Sequence, residues 1–400
     1  MCGKNEKTNF CLSAKNCIEI IQKRENYLGL YIHFPYCIQK CSYCDFFSVE
    51  LNSQAPQNLK LIFDLYKNEL LTRIQLEPEL TNLKLDSIFF GGGTPSIADP
   101  KDYEDFILFV KKNLQLELSS EITIECNPEN INSNYLNELH NAGINRLSVG
   151  IQSFEEKNLT TLERIFHKKN YDSLLNNLQN SKFSNISCDL IYGIPGQTKE
   201  TFYEDLRKLL NSKIQHLSLY SLTAEKNTPY FRKIRTKNAL PPNEILQSEI
   251  LEEISPFLKS FGFYHYEVSN FAKEGFYSKH NLKYWTMEYY LGLGAGAHGF
   301  TPRGRYANSK NLQKYFDKEL NLQFDSPSIK DELALTLFRI FLPIQLNSFL
   351  HIYEEKKEEV EKLIQDWSKK GICTFHNGVF QWNNTSILHL DNLIFELANL

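Results

Sequence analysis

Six short runs rich in β-branched and aliphatic residues punctuate the first half of the chain: Leu28–Phe34, Ser87–Phe90, Glu121–Cys126, Arg146–Ile151, Ile186–Tyr192 and His216–Leu222. Each is followed by a polar or helix-like stretch. In Asn58–Ile74, for example, Leu61, Ile62, Leu65, Leu70 and Leu71 recur at an approximate helical period. Nearly continuous apolar strands separated by helices indicate a parallel sheet covered on both faces. Six consecutive β/α units fit an incomplete (β/α)6 barrel better than a flat doubly wound sheet. On either scaffold, ligand chemistry belongs at the carboxyl ends of the strands.

After Lys226 the pattern changes. Pro229, Pro241 and Pro242 bracket a charged stretch, and a helix is expected over Asn243–Phe261. Further on, Glu358–Lys370 places Val360, Leu363, Ile364 and Trp367 on one helical face, with Gly371 as its C-terminal stop. Ile372–His376 and Val379–Trp382 flank Asn377-Gly378, a strong two-residue hairpin signal. The expected fold class is α/β, a partial barrel with a small C-terminal α+β, winged-helix-like tail. That tail is read as a packing domain, because no basic recognition helix accompanies it. The expected division is a flexible extension over 1–27, the barrel over 28–235 and a C-terminal domain over 236–400. Met287 is the only methionine besides Met1, so no internal start offers a shorter chain.

Composition removes several classes of function. In 400 residues, 44 Lys+Arg stand against 48 Asp+Glu, a net charge of −4, which argues against a nucleic-acid partner. No apolar run approaches the ~18 residues that cross a bilayer; Leu333–Leu346 is cut by Arg339. Peripheral association with a membrane stays open. The first 27 residues lack the apolar segment of ~7–15 residues that a secretory signal needs. Nine cysteines are an odd number for a paired framework, so they are read as thiols in a reducing cytosol, available to metal.

Three of those thiols, Cys37, Cys41 and Cys44, fall within eight residues directly after the first strand. Gaps of three and then two residues let a loop wrap one face of a [4Fe–4S] cube, each thiolate binding one iron. Such clusters normally take four thiolates, so one iron stays open for an exogenous chelator. Zinc is the alternative, but its sites usually show two separated ligand pairs, and no second pair follows here. Cys126 and Cys188 lie in strand runs and are most simply small buried hydrophobes. Cys2, Cys11, Cys17 and Cys373 are scattered. The glycines Gly91–Gly93, before Thr94, follow the second strand, where bare backbone can approach a ligand and offer N–H groups. A tight strand-to-helix turn would need the same residues. Glu125 and Gln152 end the third and fourth strands, and Asp189 sits within an apolar strand, where a carboxylate is costly without a partner.

The triad, with an aromatic before its third cysteine, resembles the signature of the radical S-adenosylmethionine (SAM) proteins. The segments Tyr31–Pro35, Gly91–Ser96, Glu125–Pro128, Asn145–Phe154 and Asp189–Thr198 are similar to the oxygen-independent coproporphyrinogen III oxidase family. Tyr220–Tyr230, Tyr266–Phe271, His280–Trp285 and Leu291–Gly299 extend the likeness and favour its heme-chaperone branch. The resemblance implies a [4Fe–4S] cluster on Cys37, Cys41 and Cys44, whose open iron takes the amino acid end of SAM. It further implies that Tyr31, Tyr43, Gly92, Gly93, Thr94, Glu125, Gln152, Arg164 and Asp189 contact SAM. Leu162–His167 departs from the family pattern, which often has a glycine where Glu163 stands and a histidine one residue earlier; Arg164 is retained and His167 dropped.

Two functions share this core. The oxidase decarboxylates two propionates of its substrate by radical abstraction. It carries a further cysteine two residues beyond the third ligand, where this chain has Phe46. The chaperone keeps the cluster and exchangeable SAM but binds heme and passes it to an acceptor protein, with an electron donor as a further partner. His280, followed by Tyr284 and Trp285, is the favoured axial ligand for heme iron, and His298 is the competitor.

Overall fold

The structure is a computed structural model that describes residues 26–51, 55–165, 170–319, 323–325, 329–346, 350 and 356–400. Residues 1–25, with Cys2, Cys11 and Cys17, and residues 166–169, with His167, lie outside the described residues. The six expected runs form β1 (Tyr27–Phe34), β2 (Lys84–Gly92), β3 (Gln115–Cys126), β4 (Arg146–Gln152), β5 (Ile186–Tyr192) and β6 (His216–Ser221). They pair in parallel and in sequence order. Between them run α1 (Ala55–Leu76), α2 (Pro100–Asn113), α3 (Ser133–Asn141), α4 (Tyr171–Gln179) and α5 (Lys199–Leu210). Their apolar faces and the strands share one core, from Leu28, Leu30 and Ile32 to Leu206 and Leu217.

The sheet continues at both ends. Beyond β6 lie β7 (Tyr264–Glu267) and β8 (Asn270–Ala272), paired antiparallel. Against the free edge of β1 lies β9 (Tyr289–Leu293), parallel to it, followed by the antiparallel β10 (His298–Thr301), β11 (Gly304–Ala307) and β12 (Gln323–Asp325). Among the described residues the sheet has twelve strands, ordered β12-β11-β10-β9-β1-β2-β3-β4-β5-β6-β8-β7. The glycine-rich stretch Leu291–Gly299 is therefore partly a strand beside β1. Its glycines serve close packing: a Cβ on Gly292 would stand 2.0 Å from the His298 carbonyl oxygen. The Tyr306 hydroxyl accepts from Gly292 N at 2.8 Å and donates to Gly292 O at 3.0 Å. The sheet thus crosses residue 235, where the sequence suggested a division.

The helix expected at 243–261 is α6 (Glu244–Lys259), capped by Asn243, whose Oδ1 accepts from Leu246 N at 3.2 Å. Its Leu246, Ile250, Ile254 and Leu258 join the first core. After α7 (Lys279–Thr286) and the β9–β12 extension comes a second core. Its helices are α8 (Ile329–Leu337), α9 (Lys357–Lys369) and α10 (Leu390–Ala398), and its strands are β13 (Ile344–Gln345), β14 (Cys373–His376) and β15 (Val379–Trp382). The three strands are ordered β13-β15-β14 and antiparallel, with Asn377 and Gly378 at φ 51° and 77° turning the hairpin. Val360, Ile364 and Trp367 of α9 face this core, and Gly371 follows at φ 74°. Glu358, Glu359, Glu361 and Asp366 balance the three lysines of α9. Among the described residues, no helix is long and apolar enough to cross a membrane.

A buried ion pair fastens α1 to the β9–β11 extension. Arg73 Nη2 donates to Glu69 Oε1 at 3.1 Å and to Asn308 Oδ1 at 2.8 Å, both side chains of the pair being almost fully enclosed. Glu69 also accepts from Gly294 N, Asn308 Nδ2 and the Tyr315 hydroxyl at 2.8–2.9 Å. The guanidinium lies 3.9 Å from the Tyr306 ring centre. Removing the cation leaves the enclosed Glu69 side chain without its ion-pair partner. Arg73→Met is expected to lower unfolding free energy by about 3 kcal/mol in a denaturant titration. A loss below about 1 kcal/mol would show that the pair does not anchor this end of the sheet.

Candidate functional site

The cysteine loop owes its position to a close backbone approach. After β1 the chain runs through Pro35 to Tyr36–Cys37, which pairs in parallel with Val49–Glu50, so the loop between them is clamped at its base. Gly93 N donates to Phe34 O at 2.6 Å, and Thr94 N donates to Tyr36 O at 2.7 Å. A Cβ on Gly93 would lie 2.5 Å from Tyr36 O, and Gly92 has φ +112°, a conformation that suits glycine alone. The glycine run therefore holds the loop. This corrects the expectation that its N–H groups face a ligand: Gly92 N donates to Glu125 Oε2 at 3.0 Å, and the next two donors bind β1 and the residues after it.

The loop, Gly92–Pro95 and the carboxyl ends of the neighbouring strands enclose a cleft of about 390 Å³. Cys37, Cys41 and Cys44 all line it, as do Tyr43, Gly92, Gly93, Thr94, Glu125, Gln152, Arg164 and Asp189. Burial raises the Cys37 thiol against the lowering effect of Thr94 and Ser48, and pushes Cys44 up to about 11. Arg164 reaches in from the segment after β4. Its Nη1 lies 3.8 Å from Cys41 Sγ, and its Nη2 donates to Asn127 Oδ1 at 3.2 Å and Gly150 O at 3.1 Å. Among the described residues, no three His, Cys, Asp or Glu side chains converge on a point that would hold one metal ion. Thiols spread around a loop, with a guanidinium against one sulfur, suit a cluster whose irons are bound separately better than one zinc ion.

Deeper in the cleft stand two carboxylates. Burial, reinforced by the Asp189 charge, pushes Glu125 up to about 8, and burial pushes Asp189 up to about 6. Ser148 Oγ lies 3.5 Å from Asp189 Oδ1. Gln152 takes φ +68°, a left-handed conformation at the end of β4 that is costly for a non-glycine residue. Two carboxylates short of counter-charge, with an amide and hydroxyls around them, fit a ligand that carries positive charge and ribose-like hydroxyls. Cys126 and Cys188 are buried, at 2% and 0% exposure.

Tyr31 stands behind the cleft, close enough to Glu125 for the two to interact, and His280 lies elsewhere. Neither lines the cleft. Tyr31 places its hydroxyl 3.0 Å from His33 Nδ1, and its ring stacks at 6.2 Å on Phe89 and at 6.3 Å on His280. His280 lies on α7, which plugs the lower, amino-terminal end of the barrel. The carboxylate of Glu121 on β3 accepts from Lys279 N at 3.1 Å and from His280 N at 3.2 Å. His280 is 0% exposed, its Nδ1 2.9 Å from Ser87 Oγ and its Nε2 2.9 Å from the Tyr284 hydroxyl. Burial drives its pKa down to about 3. This corrects the expectation of an imidazole offered to heme iron: both ring nitrogens are engaged by protein partners. Tyr284 and Trp285 instead pack against the second core.

Several cleft residues escaped the sequence reading. Asn127 orients Arg164 and donates to Thr94 Oγ1 at 3.3 Å, while Ser148, Gly150 and Tyr220 complete the wall. Their one signal was position, at or just past strand carboxyl ends.

Comparison with known proteins fits this geometry. Residues 31–209 match the radical SAM superfamily. A protein of Lactococcus lactis named heme chaperone HemW is 32% identical over 378 residues, covering 92% of this chain and 94% of its own. The heme chaperone HemW of Haemophilus influenzae is 36% identical over 297 residues, covering 73% and 76%. Among solved structures, coproporphyrinogen III oxidase (HemN) from Escherichia coli superposes with a TM-score of 0.77 at 21% identity, covering 94% of this chain and 91% of that one. That likeness establishes the fold.

Glu125 gives the site a pH signature. Its folded pKa of about 8 lies above the ordinary carboxylate value, so it favours the folded state at low pH and ceases to do so as pH rises toward 8. In the ligand-free protein, Glu125→Gln is expected to raise stability by about 1–3 kcal/mol at pH 8, with the gain shrinking toward pH 5. Chemical denaturation at a series of pH values measures this, and a pH-independent difference would refute it.

Proposed function

Because the chain belongs to the HemW heme-chaperone family of radical SAM proteins, we propose that it binds heme and passes it to an acceptor protein. In this reading the cleft carries a [4Fe–4S] cluster with exchangeable SAM. The observation that carries it is the joining of three thiols, Arg164 and two half-buried carboxylates in one cleft, with Phe46 on the rim, 66% exposed, where the oxidase branch has its additional cysteine. Cys37, Cys41 and Cys44 would hold the cluster, which supplies one-electron reducing power to SAM when loaded. Arg164, steadied by Asn127 and Gly150, balances thiolate charge at Cys41. Glu125 and Asp189 would face the positive charge of SAM and would be favoured in their ionised forms by it. Gln152 and Thr94 add polar contacts at the strand ends. A heme acceptor and an electron donor are the protein partners this function needs.

The test is anaerobic reconstitution with iron and sulfide, followed by separate assays of hemin binding and coproporphyrinogen III conversion. The protein is expected to take up one cluster, bind hemin saturably and leave the propionates intact. Cys37→Ala, Cys41→Ala and Cys44→Ala should each abolish stable reconstitution, whereas Cys188→Ala should not. Sustained multiple-turnover decarboxylation would move the protein to the oxidase branch, and stoichiometric zinc without labile iron would remove the cluster.

A further inference from the structure

Residues 223–239 carry five cations, Lys226, Arg232, Lys233, Arg235 and Lys237, against the single acid Glu225, in a chain whose net charge is −4. The segment leaves β6 along the cleft, which Thr223 and Glu225 help to line, and winds into a short helix, Pro229–Arg235. That helix is fastened to the cysteine loop. Tyr230 N donates to Ser42 O at 2.9 Å, between Cys41 and Cys44, and Tyr230 is buried in a small apolar cluster against which Tyr43 packs. Lys233 pairs with Glu163, whose carbonyl oxygen accepts from Gln39 Nε2 of the loop at 3.2 Å. The other four cations are exposed, and Arg232 and Arg235, one helical turn apart, share a face. The neighbouring surface adds exposed apolar side chains, Ile38 and Phe46 on the loop and Ile165 beside Arg164. Arginines next to apolar and aromatic anchors are the composition of protein interfaces. Asp45 and Glu225 are exposed acids on the cleft side, so the excess positive charge belongs to the helix and the residues flanking it.

We propose that this basic face receives an acidic one-electron carrier protein that reduces the cluster. This rests on the cluster reading above and gives the electron donor its place. Cys37 is buried, whereas Cys41 and Cys44 are half-exposed, so the wall between solvent and the thiols is thinnest at the stretch on which the helix rests. Electron transfer weakens steeply with distance, and a donor seated here would stand over that stretch. Concentrated positive charge steers an acidic partner to the correct side of a molecule that is otherwise negative, where unsteered encounters would be misplaced. Nearness to the thiols favours a redox protein over an anionic lipid surface, which would need the charge alone. One electron leaves the carrier's reduced flavin or iron–sulfur centre and enters the cluster; the carrier is oxidised as the cluster is reduced, and no bond is made or broken.

The experiment uses the full-length, reconstituted protein and an acidic flavodoxin as the probe. Stopped-flow spectroscopy follows cluster reduction by the photoreduced flavodoxin, and calorimetry follows binding of its oxidised form. Both are expected to weaken as salt rises from about 50 to 300 mM. The double variant Arg232→Glu, Arg235→Glu should slow reduction at low salt about tenfold or more and flatten the salt dependence, with Arg232→Gln, Arg235→Gln in between. Lys111→Glu, Lys112→Glu makes the same charge change at the end of α2, on the floor side of the barrel, and should stay within about twofold of wild type. Reduction by photoreduced deazaflavin, a small molecule that needs no docking face, should be equal in all four proteins and shows that each holds an intact cluster. A charge-reversed variant that keeps the wild-type rate and affinity, or a wild type reduced by deazaflavin but not by flavodoxin, overturns the docking face while the cluster stands. Loss of binding to phosphatidylglycerol vesicles with flavodoxin rates unchanged would assign the face to a membrane instead. If the wild type takes up no cluster, the reading of the cleft itself fails.

Discussion

The approach of two backbones at Gly93 sets the position of the cysteine loop over the cleft. With no side chain at that point, the glycine segment donates hydrogen bonds to Phe34 and Tyr36, and the chain leaving the first strand is turned across the top of the barrel. Three thiols arrive at the strand ends as a result. A substituent there would collide with a main-chain oxygen that has no rotamer to adopt, so the adjustment would fall on the loop. The placement of the three thiols thus depends on a residue that has no side chain of its own.

The cleft behind the loop is held in a state of unmet charge. Glu125 and Asp189 stand half-buried near each other, and each gives up its proton less readily than an ordinary carboxyl group. Arg164 is directed at Cys41, Asn127 and Gly150. An electrostatic deficit of this kind lowers the stability of the empty protein and is relieved by a positively charged ligand, a common exchange of stability for affinity at binding sites.

How much of this was legible in the sequence follows from where the chain obeys local rules. The six barrel strands were visible because each is apolar on both faces, and the terminal hairpin because Asn377-Gly378 permits few other turns. The thiol triad was visible from spacing alone. The strand at 289–293 was partly hidden, since Gly292 weakens β propensity and its reason for being there, the Tyr306 hydroxyl and the His298 carbonyl, is tertiary. The interior placement of His280 was hidden too. A segment with His, Asn, Lys and two aromatic residues looks like a surface recognition motif, and only Glu121, Ser87 and Tyr284 together make its burial tolerable. Asn127 carried no local signal of its role, because its contact with Arg164 is tertiary.

The plug helix and the strand beside β1 have a bearing on how this fold can be divided. Both come from chain beyond residue 270, yet one closes the floor of the barrel and the other covers the edge of its first strand. A fragment ending near residue 235 would present an uncapped strand edge and a lumen lined by Arg146, Glu121 and His216 to water. Such a piece is a template for edge-to-edge association rather than a soluble module. The barrel can therefore not be transplanted by cutting at the end of its sixth repeat; in engineering terms, the plug helix and the covering strand have to travel with it.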